Sequence, residues 1–128
     1  GDQSISTGAS TALSFNSERF DARDFFDAGA PTKLTTPVAG KFTIGGHAAF
    51  ESNSTGYRFV VIRVNGTAEI AINMTTAISG NITGFSITTE YQLAANDYVE
   101  LLAFQNSGGN LNVSAIGNYS PEFWIALQ

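Results

Sequence analysis

Residues 85–93 read Phe85-Ser86-Ile87-Thr88-Thr89-Glu90-Tyr91-Gln92-Leu93, and this stretch decides the fold class. Large apolar side chains alternate with polar ones along it. A period of two places successive side chains on opposite faces of a β-strand. The stretch therefore predicts a half-buried antiparallel strand, with these residues on one face: Phe85, Ile87, Tyr91 and Leu93.

The same rhythm extends through most of the chain. It recurs in five further segments, at residues 42–50, 68–74, 99–104, 111–115 and 123–127. Residues 58–64 are apolar on both faces, which predicts a strand covered on both sides by a second sheet or a neighbouring subunit. Asn65-Gly66 is typical of a type I′ hairpin turn, because both central positions need a positive φ. Residues 18–27 show no helical stripe and are interpreted as a loop. Strands at this spacing predict an all-β sandwich or barrel.

The composition limits the classes of function. The 128 residues fit a single domain over 1–128, with its core at about 12–127. The chain is 43% hydrophobic, 13% charged and carries a formal net charge of −5, without a basic run. This speaks against a nucleic-acid partner, which needs a basic surface, and against a membrane-surface role. No apolar run is long enough for membrane insertion. Cysteine is absent, so disulfides and cysteine nucleophiles are excluded.

Three segments resemble the globular heads of complement C1q and tumour necrosis factor relatives. Leu34-Thr35-Thr36-Pro37-Val38-Ala39-Gly40-Lys41-Phe42 is similar to that superfamily's entry into its first long strand. Tyr91–Leu101 resembles its L-x-x-G-D-x-V-x-L hairpin, with Asn96 in place of the glycine. Ser120–Leu127 is similar to its terminal strand. The resemblance implies a ten-strand antiparallel jelly-roll sandwich that assembles as a homotrimer.

The turn types, the polar strand faces and the lack of cysteine are similar to bacterial and phage members of the superfamily. In such members the domain is typically part of a virion fibre, a head decoration or a surface filament. The resemblance therefore implies self-association, capsid or fibre partners, a location at the virion surface or outside the cell, and contact with a host surface glycan. Fold alone does not fix function, so these roles are expectations drawn from the resemblance.

The large aromatic residues outside the predicted core are candidate interface or ligand-stacking residues. Trp124 has the opposite parity to Phe123, Ile125 and Leu127, so we expect it to leave its own subunit's core. An aromatic residue in that position is more often an interface anchor than a glycan platform. The full candidate set is Trp124, Tyr57, Tyr98, Phe104 and Tyr119. We expect an inner sheet to pack around the threefold axis and to bury the odd positions of 57–64 and 121–128, or their counterparts.

Two polar features are candidates for ion binding. His47 is the chain's single histidine, and no nucleophile-elbow motif accompanies it, which argues against a Ser-His-Asp enzyme. Three copies near the trimer axis would offer an axial metal or anion site; the alternative is a strand histidine bonded to its neighbours. The acids Asp21, Asp24 and Asp27 lie at three-residue spacing in the predicted loop and are candidate calcium ligands, because calcium prefers oxygen ligands and tolerates irregular geometry. The alternative is a solvated loop whose acids pair with Arg19 and Arg23. No other cofactor is predicted.

These observations together predict a non-enzymatic trimeric structural or binding module, with a virion decoration or fibre-tip attachment domain as the leading hypothesis. The exposed loops at 21–32, 52–56 and 107–110 are expected at one end, where they would touch host glycan or particle. A secreted or cell-surface carbohydrate-binding module is the alternative.

Overall fold

A computed structural model describes residues 2–15, 25–27, 29–115 and 120–128. Within them, every regular element is a β-strand, and the chain forms ten. The strands are β1 (Gln3–Ile5), β2 (Thr11–Ala12), β3 (Leu34–Thr35), β4 (Gly40–Phe50), β5 (Tyr57–Val64), β6 (Ala68–Thr76), β7 (Thr83–Leu93), β8 (Tyr98–Gln105), β9 (Leu111–Val113) and β10 (Glu122–Leu127). In the described part of the chain, no helix is long and apolar enough to cross a bilayer.

The strands form two antiparallel five-stranded sheets. In the front sheet β4 pairs with β7 along one edge and with β10 and β9 along the other, and β1 lies outside β9. In the back sheet β8 pairs with β2 and β3 on one side and with β5 on the other, and β6 lies outside β5. The jelly-roll sandwich predicted from the sequence is thus what the chain forms.

The register of the front sheet shows why the two-residue rhythm forms a core. Ile44 pairs with Thr89 and with Ile125, and Ala48 pairs with Phe85, so apolar positions of neighbouring strands share one face. The inward positions of β4, β5, β7, β8 and β10 meet in one buried cluster between the sheets. Phe85 contacts Phe50 edge to face within it, with ring centroids 6.1 Å apart. Burial of this apolar surface is the main stabilising term.

Two turns adopt backbone conformations that their residues favour. Asn65 and Gly66 have φ values of 54° and 73°, as a type I′ turn requires. Asn96 also has a positive φ, 72°. Asparagine tolerates this left-handed region better than other non-glycine residues, so it can replace the glycine of the similar hairpin. The turn prediction at Asn65-Gly66 is confirmed.

Two expectations about arrangement are wrong. The strands at 57–64 and 122–127 lie in different sheets, and the odd positions Phe123 and Ile125 point into their own subunit's core. Nor do the described parts of the three loops share one end. Thr32 bonds Glu100 near the start of β8, whereas the 52–56 and 107–110 loops flank its end. Odd and even positions separate the two faces of a strand, but they do not determine the sheet to which the strand belongs or the direction in which it runs.

Candidate functional site

The outer face of the front sheet carries Trp124, and we call it the Trp124 face. Trp124 pairs in register with Gly45 on β4, and its ring packs over that glycine. A Cβ atom at Gly45 would lie 2.4 Å from Cζ2 of the ring. The half-buried indole therefore has room on its own sheet only because residue 45 has no side chain. Trp124 is outside the core cluster, on the side opposite Phe123.

His47 lies on the same face, two residues along β4 from Gly45. Its Nε2 is 3.2 Å from the Oε2 of Glu122, the residue directly opposite on β10. Beside it is a depression of about 440 Å³, bounded by these residues: His47, Ala48, Ala49, Ile82, Gly84, Phe85 and Ser86. Small side chains on β4 and β7 leave this space open. The Trp124 face therefore combines one large aromatic residue with a hollow.

The described charged side chains on this face form ion pairs. Lys41 Nζ lies 3.4 Å from Glu90 Oε2, and the amide of Gln128 donates to the other carboxylate oxygen of Glu90. The hydrogen bond from Gln128 and the nearby Lys41 ammonium lower the pKa of Glu90. Both side chains of the ion pair are more than half exposed, so the pair contributes little to stability.

A second surface, absent from the sequence-based candidates, lies on β6. The register places Ala71 and Asn73 opposite Ile62 and Val60, on the inward side, and therefore Ile72 and Met74 outward. Ile72 and Met74 are 57% and 53% exposed. Strand β6 thus turns its apolar side to solvent and its small and polar side to the sandwich, the reverse of β7. We call Ile72 and Met74 the inverted face.

Two further exposed apolar residues lie in the connection between β6 and β7. Ile78 and Ile82, in that connection, are 46% and 40% exposed. Exposed apolar patches mark interaction sites on soluble proteins, and the register places Ile72 and Met74 side by side on one face of β6. The alternation at 68–74 signalled that one face of β6 is apolar, but the direction of that face depends on register and cannot be read locally.

The predicted aromatic residues Tyr57 and Phe104 form a stack on the outer face of the back sheet. Phe104 stacks on Phe59 with centroids 4.5 Å apart and planes at 6°, and on Tyr57 with centroids 5.5 Å apart at 22°. Because the rings are nearly parallel and close together, each covers a face of its neighbour. A sugar platform needs an open ring face, so Phe104 fits packing better than glycan stacking. Phe59 belongs to this row and was missed.

The remaining candidates are dispersed. Tyr98 lies on β8 under the Lys33 ammonium, 4.3 Å from the ring centroid, far along the strand from Phe104. Asp27 accepts a hydrogen bond from the backbone N–H of Gly29 at 2.9 Å. Asp21, Asp24 and Tyr119 lie outside the described residues, so the calcium site stays a prediction. Among the described residues, no three potential ligands group around a metal position.

A buried guanidinium organises the loop between β4 and β5. Arg58 is fully buried and donates to the backbone carbonyls of Asn53, Thr55 and Tyr57, at 2.8 to 3.1 Å. Burial lowers the pKa of this guanidinium. The side chain of Asn106 accepts from Tyr57 N–H at 2.7 Å, which joins this loop to the one after β8.

Comparison with known proteins agrees with this architecture. No protein-family model and no curated protein sequence matches the chain. Among solved structures, the chain is similar to the globular domain of zebrafish complement 1qA protein, at 15% identity over 97% of this chain and 94% of that one, with a TM-score of 0.60. It is also similar to Eiger TNF from S. frugiperda, at 9% identity over 100% of this chain and 85% of that one, with a TM-score of 0.72. The chain has the C1q/TNF-like jelly-roll fold.

Proposed function

We propose that this chain is a non-enzymatic module that assembles as a homotrimer and acts in structure or attachment at a virion surface, as a head decoration or a fibre-tip domain. The observation that carries the proposal is the presence of two unlike, incompletely covered surfaces on one protomer. These are the Trp124 face on the front sheet and the inverted face on β6.

Two different patches favour a ring over a twofold dimer. A twofold interface brings the same patch of both subunits together, whereas a head-to-tail interface joins one patch to a different patch on the next copy. The inverted face of one protomer would pack on the Trp124 face of the next, where Ile82 borders the hollow. Small residues beside His47 leave a hollow there that suits protruding aliphatic side chains. With a suitable rotation, such contacts close into a trimer.

The proposed contact also accounts for exposed apolar area. A stable interface buries about 800 Å² on each partner, and obligate ones bury more and are more apolar. Ile72 and Met74 are the kind of residues that form its centre. The chain has no disulfide to supplement its core, so trimerisation would supply further buried apolar surface.

The self-association is tested by sedimentation velocity at micromolar concentration. Wild-type protein should sediment as a trimer, and Met74→Asp should sediment as a folded monomer, because it places a charge at the centre of the contact. Ser54→Asp adds the same charge in an exposed loop and should remain trimeric. A wild-type monomer would refute the trimer.

The virion-surface role rests on the similarity to bacterial and phage members noted above. It is tested by probing purified particles encoded beside this gene with an antibody to the chain. Labelling of particle surfaces supports the role, and its absence from particles refutes it.

The alternative is a secreted or cell-surface carbohydrate-binding module. Its supporting observation is that the Trp124 ring packs over Gly45 with polar neighbours, including the His47–Glu122 pair. A glycan array distinguishes the two roles. Tight binding that is lost in Trp124→Ala, by a protein that does not associate with particles, would favour the alternative.

A further inference from the structure

A separate cavity lies at the other end of the β6 and β7 edges, away from Ile78 and Ile82. Its volume is about 490 Å³, within the usual range for small-ligand sites. The walls come from the turn between β5 and β6, from the end of β7 and from the turn that follows β7. The lining residues are Ala39, Val64, Asn65, Thr67, Ala68, Tyr91, Gln92, Leu93, Ala94 and Asp97.

The floor of the cavity is apolar and one wall is aromatic. Val64 and Leu93 at the floor are 5% and 0% exposed, and the alanines add no polar group. Tyr91 is 39% exposed although its position on β7 faces inward, because the cavity opens beside it. This combination fits a ligand with a short apolar body.

The single charged group of the lining is Asp97, and it is held rigidly. One carboxylate oxygen accepts from the amide of Asn65 at 2.9 Å, and the other accepts from Ala94 N–H at 2.8 Å. These hydrogen bonds lower the pKa of Asp97, so the carboxylate is ionised at neutral pH. Each oxygen keeps a free lone pair after these bonds. No lysine or arginine lines the cavity to neutralise the charge.

We propose that this cavity binds a protonated primary amine, with the ammonium between the Asp97 carboxylate and the Tyr91 ring and the apolar part over Val64 and Leu93. A carboxylate attracts an ammonium directly, and an aromatic ring attracts it through its quadrupole. The ammonium belongs to an amino sugar or to a lysine side chain of a peptide. The site is formed within one protomer and does not depend on the proposed self-association.

The test is a titration of uniformly ¹⁵N-labelled protein at pH 7 with two ammonium probes, glucosamine and Nα-acetyl-lysine amide. Each has a neutral counterpart, N-acetylglucosamine and Nα,Nε-diacetyl-lysine amide. Saturable shifts of the Thr67, Ala68 and Ala94 amide signals are expected with at least one ammonium probe, at an affinity about tenfold or more above that of its counterpart. The probe that binds identifies the source of the amine.

Two variants assign the binding to the cavity. Ala94→Lys places an ammonium at the cavity rim, where it should occupy Asp97 and weaken probe binding by about tenfold or more. Ser54→Lys adds the same charge far away and should leave binding unchanged. Asp97→Asn should abolish the preference for charged probes, and circular dichroism and thermal melting confirm that each variant is folded.

Some results overturn the proposal. It fails if neither ammonium probe shifts these signals at tens of millimolar, if neutral counterparts bind equally well, or if Ala94→Lys binds as wild type does. Sedimentation of the same samples distinguishes failure of the cavity proposal from failure of the trimer proposal. If a monomer binds the amine, the cavity proposal stands and the trimer proposal fails. If a trimer binds no amine, only the cavity proposal fails.

Discussion

Strands β6 and β7 are consecutive in the chain, form the free edges of the two sheets, and have the same two-residue rhythm, yet they use it in opposite senses. β7 buries Phe85 and Ile87, whereas β6 exposes Ile72 and Met74. A strand's apolar side has to be covered by something. The apolar side of β7 is covered by the back sheet, so the fold explains the alternation in this strand. Among the described residues of the protomer, none covers the exposed side of β6, which is the reason for proposing that assembly covers it.

The largest expected effect comes from shortening an apolar side chain on each strand. Phe85→Ala removes a buried ring that contacts Phe50, and should lower the free energy of unfolding by about 3–5 kcal/mol. Met74→Ala should change that of the monomer by less than about 0.5 kcal/mol while weakening the trimer. Denaturant titration at a protein concentration below the dissociation constant of the trimer measures the free energy of unfolding of both variants. Equal losses would show that β6 is packed within its own protomer.

A second prediction extends the comparison to the outer side of the front sheet, where Gly45 pairs with Thr88 of β7. Gly45→Ala should displace the Trp124 ring and cost about 1–3 kcal/mol, because the new Cβ would overlap it. Tryptophan emission should shift and the trimer should weaken. Gly84→Ala is the matched control for emission and stability, since a Cβ there meets nothing within 4 Å. Unchanged emission in Gly45→Ala would contradict the packing described.

The inward side of β6 gives a smaller effect. Asn73 reaches across the open side of the sandwich and donates to the backbone carbonyl of Ser86 on β7, at 2.9 Å. Asn73→Ala should cost about 0.5–1.5 kcal/mol, the usual net value of such a bond. Thr75→Ala, on the same side of the strand, is the control. A similar loss from both variants would mean that the bridge to β7 contributes nothing specific.

The smallest effect is expected at the hydrogen bond between Asn65, in the turn before β6, and Asp97, in the turn after β7. Because hydrogen bonds lower the pKa of Asp97 in the folded state, its contribution is fully present above the unfolded carboxyl pKa and is lost as pH falls through the folded one. Wild-type stability should therefore decline in acid slightly more steeply than that of Asp97→Asn. Denaturant midpoints between pH 2 and 6 measure the difference, and parallel curves would contradict it.

The sequence predicted much of the fold because strand alternation and turn chemistry are local. The strands around 85–93 and 42–50 and the Asn65-Gly66 turn follow from properties of neighbouring residues. The direction in which β6 faces does not, since it is set by pairing with β5 and by the bulge between Ile62 and Arg63. Parity placed Trp124 outside its own core, but not over Gly45, a residue far away in the chain.

The cavity beside Asp97 was unpredictable for the same reason. Its walls come from residues near 39, 65 and 94, which approach only when both sheets are formed. The sequence shows Asn96 in place of the glycine of the similar hairpin, but only the structure shows that residue 96 needs a positive φ. Local patterns therefore predicted elements, whereas surfaces made by several elements required the structure.

The clamp formed by Arg58 has a consequence for recognition. The segment Asn53-Ser54-Thr55-Gly56 consists of residues that are individually tolerant of many backbone conformations. A single cation beneath it holds two of its carbonyls in place, so the segment is preorganised before any encounter. A partner that binds this end of the sandwich would contact a preordered segment, so ordering the segment would cost little binding free energy.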